Sequence, residues 1–116
     1  MNPKKRMYAL GRLKKGQMNK TESAYAERLE RLKMVGEILW YKFEGVKFRL
    51  ADNTLYTPDF IIMTNACEMI VHEVKGYMMD DANVKIKVAA ELYPFRFFIV
   101  RKQNKKDGGG WDIQEI

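Results

Sequence analysis

Cysteine is nearly absent from this chain. Cys67 stands alone and can form no internal disulfide, which excludes a disulfide-stapled scaffold and fits a reducing, cytoplasmic setting. Histidine is equally scarce: with one cysteine and one histidine, His72, a zinc site has too few ligands. No apolar run approaches the roughly 18–20 residues that span a bilayer, so no membrane partner is expected. The opening residues are charged and polar without an apolar core, so no secretory signal is expected either. Acidic residues are missing from one stretch in particular. Residues 1–21 hold seven of the 21 cations and none of the 15 acids, leaving the remainder with 14 against 15.

What is present is therefore a basic arm on a nearly neutral body. Lys4, Lys5, Arg6, Arg12, Lys14, Lys15 and Lys20 make up the arm's charge. A concentrated positive segment suits a polyanion, most simply nucleic acid. Pro3, Gly11 and Gly16 interrupt residues 1–18, which read as a flexible arm with a short helical turn around Met7–Leu13. The 116 residues suffice for one core, so 19–116 is expected to be a single domain.

Asn19 followed by Glu22 is a capping-box pattern, and a helix is expected over about 20–35, ending at Gly36. Tyr25, Ala26, Leu29 and Leu32 form its apolar stripe, and Glu22 falls inside that stripe. Glu22 either caps the helix only or points toward the body as part of a site; periodicity does not choose. Glu37–Phe43 and Val46–Leu50 are rich in β-formers, with a bulge or tight bend at Gly45. A turn at 51–54 leads into a strand over Leu55–Met63, distorted near its start by Pro58. Glu68–Lys75 is the next strand. Alternation puts Val71, Glu73 and Lys75 on one face and Ile70, His72 and Val74 on the other.

A second helix is expected over about 80–92, begun by Asp80-Asp81 and stopped by Pro94. Lys85 falls near the middle of its apolar arc, which costs free energy unless the ammonium is paired; it is read as reaching a carboxylate cluster or a phosphate in preference to snorkelling. Phe95–Arg101 and Trp111–Ile116 are two further strands, joined by a loop in which Gly108–Gly110 read as a flexible tip. The order is α-β-β-β-α-β-β, an α/β fold with a mixed central sheet flanked by two helices.

Pro58-Asp59, thirteen residues, then Glu73-Val74-Lys75 resembles the PD-(D/E)XK nuclease signature. The blocks NKTE-x-x-YA, LADNT-x-YTPDF, HEVKG and VKIKVAAE-x-YPFRF resemble a family of small phage and prophage proteins placed among these nucleases. The resemblance implies a restriction-endonuclease-like core. It implies Asp59 and Glu73 as metal ligands, with the Val74 carbonyl and the first-helix Glu22 completing the set. It implies Lys75 as the group that orients water and steadies charge on the phosphate, and Lys85 as a basic residue near the site. Mg²⁺ or Mn²⁺ would be the cofactor. DNA would be the partner, in the manner of phage junction-resolving endonucleases with branched DNA and a homodimer, inside a bacterial host cell. The alternative is a non-catalytic nucleic-acid-binding accessory protein that keeps the fold.

Overall fold

The computed structural model describes residues 16–76 and 84–116. The arm residues Lys4 to Lys15, the turn at Met7–Leu13 and the helix start at Asp80-Asp81 lie outside them.

Helix α1 spans Lys20–Met34. Asn19 accepts from the Glu22 N–H while Glu22 Oε1 accepts from the Asn19 N–H, so both halves of the capping box are made. At the other end Gly36 adopts φ +82°, which lets the Glu37 N–H reach Leu32 O and the Gly36 N–H reach Lys33 O. This is a Schellman closure, and it needs the left-handed backbone that glycine adopts without steric cost.

Strands β1 (Ile38–Phe43), β4 (Phe60–Thr64), β5 (Met69–Lys75), β6 (Arg96–Lys102) and β7 (Trp111–Glu115) form one sheet in the order β1-β4-β5-β6-β7. All neighbours are antiparallel except β5 and β6, which are parallel and joined through helix α2 (Val84–Leu92). A parallel pair requires such a crossover. Strands β2 (Phe48–Ala51) and β3 (Thr54–Tyr56) pair only with each other.

Both ends of that small hairpin fall where the sequence marks an irregularity, and there the chain leaves the main sheet altogether. Residues 37–50 divide at Glu44-Gly45, where Glu44 has φ +49° and a Cβ on Gly45 would lie 2.5 Å from Lys42 Cγ. A side chain at 45 would collide with the Lys42 stem, so this bend requires glycine. Residues 55–63 divide at Pro58, which has no N–H to give a ladder. The result is a separate β2–β3 flap beside the main sheet.

The two faces of the sheet carry separate cores. Tyr25, Leu29, Ile38, Phe60, Ile62, Val74 and Val100 pack beneath α1. Phe48, Tyr56, Val71, Ile86, Ala89 and Phe97 pack beneath the flap and α2. The α2 stripe is therefore Ile86 and Ala89, with Ala90 and Tyr93 half-buried behind them. Lys85 lies outside that stripe, on an exposed part of the helix. The broad apolar arc read from sequence includes Val84 and Leu92, which the fold leaves exposed.

His72 occupies the α1 face, opposite Glu73. It is 6% exposed, and its Nδ1 lies 2.7 Å from Tyr25 Oη. Burial lowers the His72 pKa to about 3 and raises Tyr25 to about 12, so the phenol donates to a neutral ring. Tyr25→Phe should remove this hydrogen bond to the ring and cost about 1–2 kcal/mol in urea unfolding at neutral pH. The histidine's folded pKa lies below its unfolded value, so its contribution is complete above about 6.5 and lost as pH falls through about 3.

Candidate active site

The break at Pro58 sets Asp59 at the mouth of β4, one step beyond the Phe60–His72 pairing and therefore opposite Glu73. The two carboxylates are interlocked through backbone. The Val74 N–H donates to Asp59 Oδ2 at 2.8 Å, and the Asp59 N–H approaches Glu73 Oε1 at 3.3 Å. Each side chain is thus oriented by the other's strand.

Glu73 is 9% exposed, an unusual place for a carboxylate without partners. Its partners are at hand. The Tyr56 hydroxyl donates to Oε1 at 2.7 Å, and Lys75 Nζ stands 3.6 Å from Oε2. Burial and the nearby Glu73 charge push the Tyr56 phenol well above its ordinary range, keeping it a donor. The lysine contact is an ion pair longer than a hydrogen bond, which leaves ammonium donors to offer an anionic oxygen.

Asp59 is the strained member. Burial first, then the charge of Glu73, push its carboxyl up to about 8 against the Val74 hydrogen bond, with Glu22 adding to the rise by charge and by a shared hydrogen bond. Glu22 closes the capping box of α1, and its charge adds to the rise at Asp59 behind burial and Glu73. An acid in the first turn of α1 can do both because the helix starts at the same end of the sheet as Asp59.

Lys85 does not join this group. Its Nζ donates to Leu55 O at 3.1 Å, tying α2 to the flap. Lys20 begins α1 and is exposed. No group of three or more His, Cys, Asp and Glu side chains that could hold a metal ion occurs among the described residues. The threefold carboxylate cage expected from sequence is therefore not formed among them; Glu22 acts on Asp59 from the helix cap.

The donor chemistry still fits a hard divalent cation. Mg²⁺ is commonly held by one or two carboxylates with waters completing its shell. Asp59 and Glu73 supply two, and the repulsion that raises the Asp59 pKa is the kind that a cation relieves. The soft and imidazole ligands are elsewhere, with Cys67 exposed in the turn between β4 and β5 and His72 on the opposite face.

Tyr56 is the residue that sequence reasoning passed over. Strand alternation over 55–63 would put it on the face opposite Asp59, and the break at Pro58 is what brings it to Glu73. Tyr56→Phe leaves Oε1 of a buried carboxylate without its shortest bond. Loss of about 1–2 kcal/mol of stability is expected from urea unfolding. An unaltered midpoint would show that the phenol bond contributes nothing.

An open groove of about 390 Å³ lies between the flap and the end of α2, lined by Arg49, Leu50, Ala51, Asp52, Leu92 and Tyr93. Its one carboxylate, Asp52, is paired with Arg49, so it offers no acid pair comparable to Asp59 and Glu73. Among the described residues no helix is long and apolar enough to cross a membrane. No protein-family model, curated protein or solved structure matches this chain.

Proposed function

We propose that the protein is a metal-dependent endonuclease that hydrolyses DNA phosphodiesters. The observation that carries this reading is the interlocked Asp59–Glu73 pair with Lys75 beside it. The architecture is compatible with it too, since the chain folds as a mixed central sheet with two helices, as expected for such a core.

Asp59 and Glu73 would hold the ion, with the Val74 carbonyl as a further oxygen. A divalent ion bound there would act as a Lewis acid on the phosphoryl group and lower the pKa of water. Lys75 would meet the anionic phosphate and steady the charge that grows on it during attack. Tyr56 and the Asp59 N–H hold Glu73 in place while this happens.

Cleavage of linear, supercoiled and four-way-junction DNA, with Mg²⁺, Mn²⁺ or EDTA, tests the reading. Cutting that requires the metal and disappears in Asp59→Ala is expected. A preference for the junction, together with a dimer in sedimentation, would extend the reading to branched DNA. Tight binding without cutting under either metal would sink the enzyme and leave the accessory DNA-binding protein.

A further inference from the structure

The two ends of the main sheet differ in how their cations are used. At the end where β5 begins, Arg96 is engaged by two carboxylates, with Glu115 at 2.8 Å and Glu68 at 3.3 Å. At the end that bears the candidate site, residues 101–107 read RKQNKKD, four cations against one acid. Lys102, Lys105 and Lys106 are exposed there, and among the described residues none of the three is in an ion pair.

Register fixes where these charges stand. Strand β6 runs parallel to β5 with Arg101 paired to Lys75, so the two share a face at adjacent strands. Arg101 is paired on its other side with Asp112 of β7. Lys102 follows at once, and the β6–β7 loop rises from that point. The loop is built by its own bonds. Asn104 Oδ1 accepts from the Asp107 N–H at 2.8 Å, the Gly109 N–H reaches Asn104 O at 2.9 Å, and the Gln103 N–H reaches Gly110 O at 3.0 Å. Gly108, Gly109 and Gly110 all have positive φ, and a Cβ on any of them would meet nothing within 4 Å. These glycines serve backbone conformation, not packing, and the tip expected to be flexible is a hydrogen-bonded turn around Lys105–Asp107.

We infer that the β6–β7 loop is a nucleic-acid backbone ridge: Lys105 and Lys106, with Arg101 and Lys102 leading up from the site, bind the sugar–phosphate chain that flanks the phosphodiester at Lys75. This rests on the nuclease reading for the identity of the polyanion. Charge complementarity names the partner, because a string of phosphates offers the regularly spaced anions that a short ridge of exposed lysines can meet. A loop fixed by its own hydrogen bonds presents them without first being ordered.

The test is the salt dependence of binding of a labelled single-stranded and a labelled duplex oligodeoxynucleotide to the full chain, in EDTA. The variant is Lys105→Gln/Lys106→Gln. Its control is Arg31→Gln/Lys33→Gln, which removes the same charge from the last turn of α1 at the far end of the sheet. The slope of log K against log salt should shrink by about 2 in the loop variant, near 0.9 for each duplex phosphate no longer neutralised, and stay unchanged in the control. Equal slopes in wild type and loop variant, or the same reduction in the control, would overturn the ridge while leaving the nuclease reading standing. No binding by the wild type would overturn the ridge, with the nuclease reading still decided by cleavage in Mg²⁺ or Mn²⁺. A smaller slope confined to the loop variant, in a protein that cuts nothing with metal, would keep the ridge and sink the hydrolase.

Discussion

Asp59→Asn is expected to abolish metal-dependent DNA cleavage while making the metal-free protein more stable at alkaline pH. The amide keeps the shape of the side chain and an oxygen for the Val74 N–H. It loses the charge that would hold the ion, so a rate loss on the order of 10³-fold or more is expected from the missing electrostatic stabilisation. The stability effect has the opposite direction. The folded pKa of Asp59 is about 8, above its unfolded value, so between roughly pH 4 and pH 8 the folded state binds a proton that the unfolded state releases. This contribution is complete below about pH 4 and lost as pH rises through about 8. The variant should therefore match the wild type near pH 4–5 and exceed it at pH 9 by on the order of a few kcal/mol. Taking the difference between the two proteins removes the acid-limb contribution of His72, which both share. Mn²⁺ should raise the melting temperature of the wild type at pH 8 and leave the variant unmoved. Parallel stability curves for the two proteins would show that Asp59 does not carry the strain assigned to it.

Lys75→Met should also remove activity, by about 10²–10³-fold, since it deletes the cation that meets the phosphate. The substitution keeps most of the stem that lies along the half-buried site. It leaves Glu73 without its only counter-charge among the described residues, yet still bonded to Tyr56 and the Asp59 N–H. The cost to the metal-free fold is accordingly set at about 2 kcal/mol, nearer the value of one charged-group interaction than that of a fully uncompensated buried charge. Guanidinium unfolding with and without Mg²⁺ measures it. The metal should recover part of the loss in stability, but Lys75→Met should remain inactive at saturating metal. Full activity at high Mg²⁺ would reduce Lys75 to a structural counter-ion.

The fold's skeleton was legible because it is written locally. Asn19, Glu22 and Gly36 bound the first helix by the chemistry of caps, and period-two alternation assigned Glu73 and Lys75 to one face and His72 to the other. Less legible was the flap. A bend at Gly45 is marked in the sequence, but that residues 48–56 leave the main sheet to pack over α2 depends on long-range contacts. Lys85 misled because an apolar arc counts side chains without knowing which of them a neighbour covers. Val84 and Leu92 face solvent, and the stripe that packs is narrower than the one that was counted. The glycine run at 108–110 misled in the other direction, since composition cannot distinguish a loose tip from three left-handed residues in a bonded turn.

The capped helix, the strand faces and the presence of Asp59, Glu73 and Lys75 at the ends of two runs are set by the order of residues alone. They follow from backbone periodicity and from terminal hydrogen bonds among near neighbours. Folding in three dimensions settles the rest: that Asp59 and Glu73 interlock, that Tyr56 completes the site, and that Glu22 bears on it while Lys85 does not. These depend on register between strands and on where each helix starts relative to the sheet. Such contacts join residues far apart in the chain, and no local pattern encodes the distance between them.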